Sequence, residues 1–346
     1  MRPSDVSAFL AHTIPAGLPV LLTGAPGVGK SDLVSYACEC LYQHLVISHP
    51  VVSDPTDAKG LPWPDAATGT ARFLPLGEVA ELLAATEPTV WLLDDLGQAP
   101  AAVQAAYMQW LLARRVNGHI LPDCVTILAA TNRRQDRAGV QGILEPVKSR
   151  FAAIVEVEPH LDDWAEWALG AGLPVEVVAF VRFRPELLCV DFTKTPADMV
   201  NSPSPRTWHN LAKLFALGLP PELQLPAFSG AVGQGASVEF LAFLRMWQAL
   251  VSIDHILLDP AGAPLPDPSQ PAQLYAVATA LAARVNATTF ARVSTYLERL
   301  AQAGQGAFAA LSLRDCIRRE PALCSTSDYV KIACGPLGRL ITGEVR

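Results

Sequence analysis

Eight residues, Gly24-Ala25-Pro26-Gly27-Val28-Gly29-Lys30-Ser31, constrain this chain more than any other part of it. They match the spacing Gly-x-x-x-x-Gly-Lys-Ser in full. Glycines so spaced let successive backbone N–H groups turn inward around an anion. The lysine adds a mobile cation, and the serine hydroxyl is a hard ligand for a magnesium ion. Such a loop needs a strand before it and a helix after it, so that the positive end of the helix faces the anion. The flanks meet that condition. Pro19-Val20-Leu21-Leu22-Thr23 is a short apolar run of strand type, and Leu33, Val34, Ala37, Cys38 and Leu41 recur at helical spacing. Strand, phosphate loop and helix form one unit of a parallel sheet, which commits the chain to binding a nucleoside triphosphate. The Gly-x-Gly-x-x-Gly spacing of dinucleotide folds is absent.

The same alternation continues to about residue 160. Apolar runs at Val20 to Thr23, Leu45 to Ser48, Thr89 to Leu93, Val125 to Thr131 and Ile154 to Val157 are separated by helical patterns such as Val103, Ala106, Tyr107, Trp110 and Leu111. Beyond Pro159 the strand-type runs fade into Ala- and Leu-rich helical segments. The predicted architecture is an α/β P-loop αβα sandwich with a mainly parallel sheet, followed by an all-helical lid and a helical C-terminal extension. The boundaries read 1–160 for the nucleotide-binding core, 161–258 for the lid, 259–271 for a Pro-rich loop or linker, and 272–346 for the extension. Gly60 to Phe73 is either a β-hairpin or an irregular surface loop.

With 346 residues, 51% of them hydrophobic and 17% charged, the chain can bury proper cores. The net charge of -7 weighs against a large nonspecific nucleic-acid footprint. Seven cysteines without a Cys-x-x-Cys pair fit reduced thiols better than disulfides or a zinc site, and Cys38 and Cys40 fall on opposite sides of their helix. Neither a cleaved signal nor a membrane-spanning apolar run is legible, so the expected compartment is the cytoplasm.

The other half of a triphosphate site is legible too. Val90-Trp91-Leu92-Leu93-Asp94-Asp95 ends an apolar strand in two carboxylates at the sheet edge that faces the nucleotide. Asp94 is expected to hold magnesium through water, and Asp95 to orient and polarise the attacking water. Asp94-Asp95-Leu96-Gly97 also fits the Asp-x-x-Gly of GTPases, but Asn132-Arg133-Arg134-Gln135 stands where a guanine-selecting Asn-Lys-x-Asp is needed. Asn132, at the tip of the Val125 strand, places an amide beside the acids where it can align water. Arg150 carries a charge fork suited to a transferring phosphoryl group, but its own loop is badly placed to reach its own phosphate, and taken alone it reads as a solvated surface cation. Ser204-Pro205-Arg206 reads as an N-cap, a first-turn proline and an arginine in the first helical turn, aimed either at the nucleotide or at solvent.

Taken in order, Gly24 to Ser31, Val90 to Asp95, Asn132 and Ser149-Arg150-Phe151 resemble the Walker A, Walker B, sensor 1 and arginine-finger segments of the AAA+ ATPases. Four stretches are similar to the MoxR-related branch: Asp54 to Pro62, Asp94 to Pro100, Thr131 to Val140 and Ser204 to Trp208. The resemblance covers about residues 15 to 215. It implies ATP and magnesium as ligands, a usually hexameric ring with ATP between subunits, Arg150 reaching a neighbour's γ-phosphate, and Arg206 as sensor 2. It also implies a pore-facing hairpin, and remodelling or activation of a protein client, often with a von Willebrand factor A domain partner and sometimes to insert a metal or cofactor. Catalysis would fall to Asp95, Asn132, Arg150 and Arg206, and magnesium to Ser31 and Asp94. One departure stands out: the branch carries Asp-Glu where this chain has Asp94-Asp95, so the catalytic acid is one methylene short. Two other readings remain open. A DNA-directed AAA+ motor or loader could line its pore with Arg114-Arg115 and Arg133-Arg134, and an ATP-gated assembly switch would turn over slowly because of Asp95.

Overall fold

The computed structural model describes residues 1–136, 142–191, 200–248, 252–335 and 337–338. Arg137 to Val140, part of the MoxR-like stretch, and the end of the extension from 339 lie outside the described residues. The chain divides into two units, one spanning Met1–His160 together with Asp191, the other Leu161–Val190 and the chain from 200 onward.

The first unit opens with α1 (Pro3–Thr13), which the apolar pattern had not announced. Pro3 suits the first helical turn, where no amide partner is needed, and Val6 and Leu10 lie one turn apart on the same buried face. Then come β1 (Val20–Gly24), α2 (Lys30–Cys40) and β2 (His44–Ser48), followed by α3 (Pro55–Lys59), β3 (Leu61–Asp65), β4 (Thr70–Leu74) and α4 (Gly77–Leu83). The unit continues through β5 (Thr89–Leu93), α5 (Ala101–Ala113), β6 (Arg115–Val116), β7 (His119–Ile120), β8 (Val125–Asn132), α6 (Glu145–Lys148) and β9 (Ala153–Val157). Five strands form one parallel sheet in the order β2-β5-β8-β1-β9.

Burial on both faces explains why these strands read as unbroken apolar runs. Leu21, Trp91, Leu93, Ile127 and Ala129 enter one core with residues of α4 and α5, while the alternate positions Val20, Leu22, Val90, Leu92, Leu128 and Ala130 are buried as well. Trp91 meets Tyr107 and Trp110 edge-on, with ring centroids 5.9 and 6.1 Å away. Both indoles have a partner for their N–H: Trp91 donates to Ser48 Oγ at 2.9 Å and Trp110 to the Ala58 carbonyl at 2.8 Å. Truncating either to alanine costs about 3–5 kcal/mol in a core of this kind.

Gly60 to Phe73, left open by the sequence, is a hairpin of β3 and β4, with Trp63 58% exposed on it. A smaller hairpin, β6 with β7, turns at Asn117-Gly118, both with positive φ. It is fastened to the larger one: Asn117 Nδ2 donates to the Lys59 carbonyl at 2.9 Å, and His119 Nε2 lies 2.7 Å from the Phe73 carbonyl.

The second unit is helical, with no strand among its described residues. It runs α7 (Leu161–Gly170), α8 (Val175–Phe183), α9 (Pro205–Ala216), α10 (Pro221–Val232), α11 (Gln234–Gln248), α12 (Ile253–Leu258), α13 (Pro271–Ala283), α14 (Phe290–Leu300), α15 (Gly306–Arg319) and α16 (Ser327–Ala333). Phe180, Trp208, Phe240 and Phe243 cluster at its centre, with Phe180 5.3 to 5.5 Å from each of the other rings. Residues 259–270 form a helix-free stretch before α13, which itself packs on α8 and α15. Arg182 of α8 and Asp315 of α15 form an ion pair with side chains only 2% exposed, Nη1 to Oδ2 at 2.5 Å and Nη2 to Oδ1 at 3.1 Å. No described helix is long and apolar enough to cross a membrane, and every described cysteine is a free thiol. Cys38 is buried and Cys40 exposed, as their spacing on α2 requires.

The chain thus has a P-loop αβα sandwich with a parallel sheet, followed by an all-helical part.

Candidate nucleotide-binding site

Strand register assembles the site. Pairing of β1 with β8 sets Gly24, where the phosphate loop begins, beside Asn132, and pairing of β5 with β8 sets Leu93 beside Ala129. Two residues that close their strands and the acids that follow β5 therefore meet at one edge of the sheet. The loop turns into α2 through Gly29, whose φ of 95° lies in the left-handed region where a side chain would be strained.

Lys30, 7% exposed, sends its ammonium back across the loop. It donates to the carbonyls of Gly24 at 3.2 Å and Ala25 at 3.1 Å, and to Asn132 Oδ1 at 2.8 Å. The neighbouring Ser31 hydroxyl donates to Asp94 Oδ2 at 2.8 Å, joining residues 63 apart in the chain. A hydroxyl and a carboxylate are hard oxygen donors, the set that suits a magnesium ion that keeps most of its waters and takes the rest of its ligands from phosphate. The acid pair continues the network. Asp95 N–H donates to Asp94 Oδ1 at 3.1 Å, and Asn132 Nδ2 reaches Asp95 Oδ1 at 3.4 Å. Gln98 Nε2 donates to the same Oδ1 at 2.7 Å. Of the residues singled out in the sequence, Lys30, Ser31, Asp94, Asp95 and Asn132 are thus linked by hydrogen bonds. Gln98 lies within the Asp94 to Pro100 stretch, but nothing in the sequence gives its amide a role.

The two arginines lie elsewhere. Arg150 belongs to the turn that enters β9, and the Ala152 amide donates to the Pro19 carbonyl at 2.8 Å, at the sheet edge opposite the phosphate loop. Five residues of β1 separate the two edges, roughly 13 Å of strand. Arg150 Nε is shielded from solvent and has no hydrogen-bond partner among the described residues. Arg206 belongs to the helical unit, exposed in the first turn of α9, where Ser204 and Thr207 form a capping box behind Pro205. The basic pairs proposed for a pore are partly engaged. Arg114 Nη2 donates to the carbonyls of Pro122 and Val125 at 2.6 and 2.8 Å. Arg133 forms a fork with Asp136, two bonds of 2.8 Å, and a third bond of 2.9 Å with Glu156, and these carboxylates push its pKa further up. A cleft of about 550 Å³ beside them is lined by Thr23, Arg133, Arg134, Gln135 and Glu156.

No protein-family model matches the sequence, and no curated protein does. Among solved structures the chain is similar to the RuvB Holliday junction branch migration motor of Thermotoga maritima, with 18% identity over 87% of each chain and a TM-score of 0.41. It is also similar to NtrX from Brucella abortus in complex with ADP, with 12% identity over 97% of this chain and 68% of that one and a TM-score of 0.40. At this distance neither likeness bears on what the chain does.

Proposed function

We propose that the chain is a magnesium-dependent ATPase of the MoxR-like AAA+ type. The observation that carries the proposal is the contact between Ser31 and Asp94 at 2.8 Å, with Lys30, Asp95 and Asn132 joined to it through polar contacts of 2.8 to 3.4 Å. Lys30 exchanges its bonds to Gly24, Ala25 and Asn132 for the β- and γ-phosphates of ATP, which Gly24 to Ser31 enclose. Ser31, and Asp94 through water, would hold a magnesium ion, which would supply charge to offset that of the phosphates. Asp95 accepts a proton from the attacking water, and Asn132 aligns that water.

The position of the Arg150 turn supports action in trans. A cation at the edge opposite its own phosphate loop is placed to serve a neighbouring subunit instead. The assembly is then a ring, proposed as a hexamer, in which Arg206 acts from the helical lid and 272–346 forms a C-terminal extension. Its work in the cytoplasm would be to remodel or activate a protein client, with a von Willebrand factor A domain protein as partner. The exposed β3–β4 hairpin, carrying Trp63, supports a client-facing role.

Titration with a fluorescent ATP analogue tests the core of this reading. Lys30→Ala should weaken binding about 10- to 100-fold, the worth of charged hydrogen bonds to phosphate. Unchanged affinity would refute the assignment of the loop.

A further inference from the structure

Gln98 lies in a single 3-10 turn, Leu96–Gln98, directly after the acid pair. Its amide spans two groups. Nε2 donates to Asp95 Oδ1 at 2.7 Å, and Oε1 lies 3.3 Å from Thr131 Oγ1, whose one proton it shares with the Asn132 carbonyl at 3.2 Å. The turn comes so close to β8 only because residue 97 is glycine: a Cβ there would lie 2.3 Å from Thr131 Oγ1. Asp95 itself has a φ of 56°, a left-handed conformation uncommon for a residue with a side chain. Asn132 Nδ2 reaches the same Oδ1 at 3.4 Å, whereas Oδ2 accepts no hydrogen bond from the described residues. One carboxylate oxygen is therefore held from two sides and the other is left free.

We propose that Gln98 is a positioning residue that fixes Oδ1 of Asp95 so that Oδ2 faces the attacking water. The proposal rests on the ATPase reading above. An aspartate has less reach than the glutamate of related acid pairs, but it also has one torsion fewer to order. Anchoring converts it into a preorganised acceptor. Because Gln98 is tied to Thr131, the acid is referenced to β8, the strand that also carries Asn132. The two groups that handle water are thereby set against one rigid element. The turn, the glycine and the left-handed aspartate are parts of one device that lets a short side chain do the work of a longer one.

The test uses the full chain with four readouts: kcat with saturating magnesium ATP, affinity for ADP, capture of ADP with aluminium fluoride as a mimic of the transferring phosphoryl group, and thermal melting. Gln98→Ala should lower kcat and aluminium fluoride capture about 10- to 100-fold, the worth of a hydrogen bond to a charged group. ADP affinity and Tm should stay unchanged. Gln98→Asn, too short to bridge, should behave alike. Combining Gln98→Asn with Asp95→Glu moves one methylene from the amide to the acid and should recover most of the lost capture and rate. Equal kcat and capture in Gln98→Ala would overturn the proposal, as would ADP affinity and Tm that fall in step with kcat, the mark of a structural role. Wild-type protein that binds ADP yet captures no aluminium fluoride would also overturn it while leaving nucleotide binding intact. Protein that binds no ADP refutes the underlying reading instead.

Discussion

Replacing Asp315 by alanine should destabilise the helical unit more than any single surface change. Arg182 and Asp315 each keep only 2% of their side-chain surface exposed, and the guanidinium meets the carboxylate through two bonds, with a third from Nη1 to Thr279 Oγ1 at 3.3 Å. Arg182 Nε is buried without a partner, so the carboxylate is the main compensation for that charge. Removing it leaves a buried cation unpaired, which costs about 3–5 kcal/mol. With an m-value of about 2–3 kcal/mol/M, the urea midpoint should drop by roughly 1–2 M. Asp315→Asn keeps the shape and an acceptor and should cost about half as much. The decisive variant combines Arg182→Met with Asp315→Leu. Buried pairs exchanged for apolar side chains of similar volume are neutral, or gain about 1–4 kcal/mol, so the double variant should be more stable than Asp315→Ala. Urea unfolding followed by far-ultraviolet circular dichroism measures all three. A loss below about 1 kcal/mol in Asp315→Ala, or a double variant less stable than the single, would refute the argument that desolvation dominates this pair.

Three further outcomes follow from the geometry. Ser31→Ala should raise the magnesium concentration needed for half-maximal ATP binding about 10-fold without altering metal-free ADP binding, measured by titration at fixed nucleotide. At pH 8, iodoacetamide followed by mass spectrometry should modify the exposed Cys40, Cys324 and Cys334 and spare Cys38 and Cys316. Burial pushes those two thiols up to about 11 and about 12, the latter with help from Asp315. The same burial sets an alkaline limit. Cys316 rises from the ordinary 9.0 to about 12 and Tyr296 from 10.0 to about 12, so the folded state favours their neutral forms. That contribution is full below pH 9 and lost as pH rises towards 12, so the urea midpoint should fall over that window and fall less steeply in Cys316→Ala.

The parallel sheet was legible because strands buried on both faces leave continuous apolar runs, and Val90 to Leu93 or Val125 to Ala130 admit little else. The Gly24 to Ser31 loop was legible because its pattern sets fixed residue types at fixed spacing. α1 escaped notice because it buries only one narrow face, through Val6, Leu10 and Thr13. The β6–β7 hairpin did carry a signal, Asn117-Gly118, but strands of two residues leave no alternation to find. Arg114 and Arg133 looked like cations awaiting a ligand until folding supplied carbonyls and carboxylates from their own chain. Gln98 and the Arg182–Asp315 pair were beyond reach for a shared reason: each depends on a partner brought by tertiary packing, 33 residues away for Thr131 and 133 for Asp315.

The 13 residues of α5 give it a length of about 20 Å. Its first turn is secured by Gln104, whose amide donates to the carbonyls of Ala99 and Gly142 and accepts from Leu144 N–H. Its last turn is secured by Trp110, bonded to Ala58, and leads directly into the small hairpin that grips the base of the large one. A helix is stiff along its axis, so α5 is a strut with the turn of Gln98 at one end and the mount of the Trp63 hairpin at the other. Load applied to that hairpin would run along α5 towards the turn that carries Gln98.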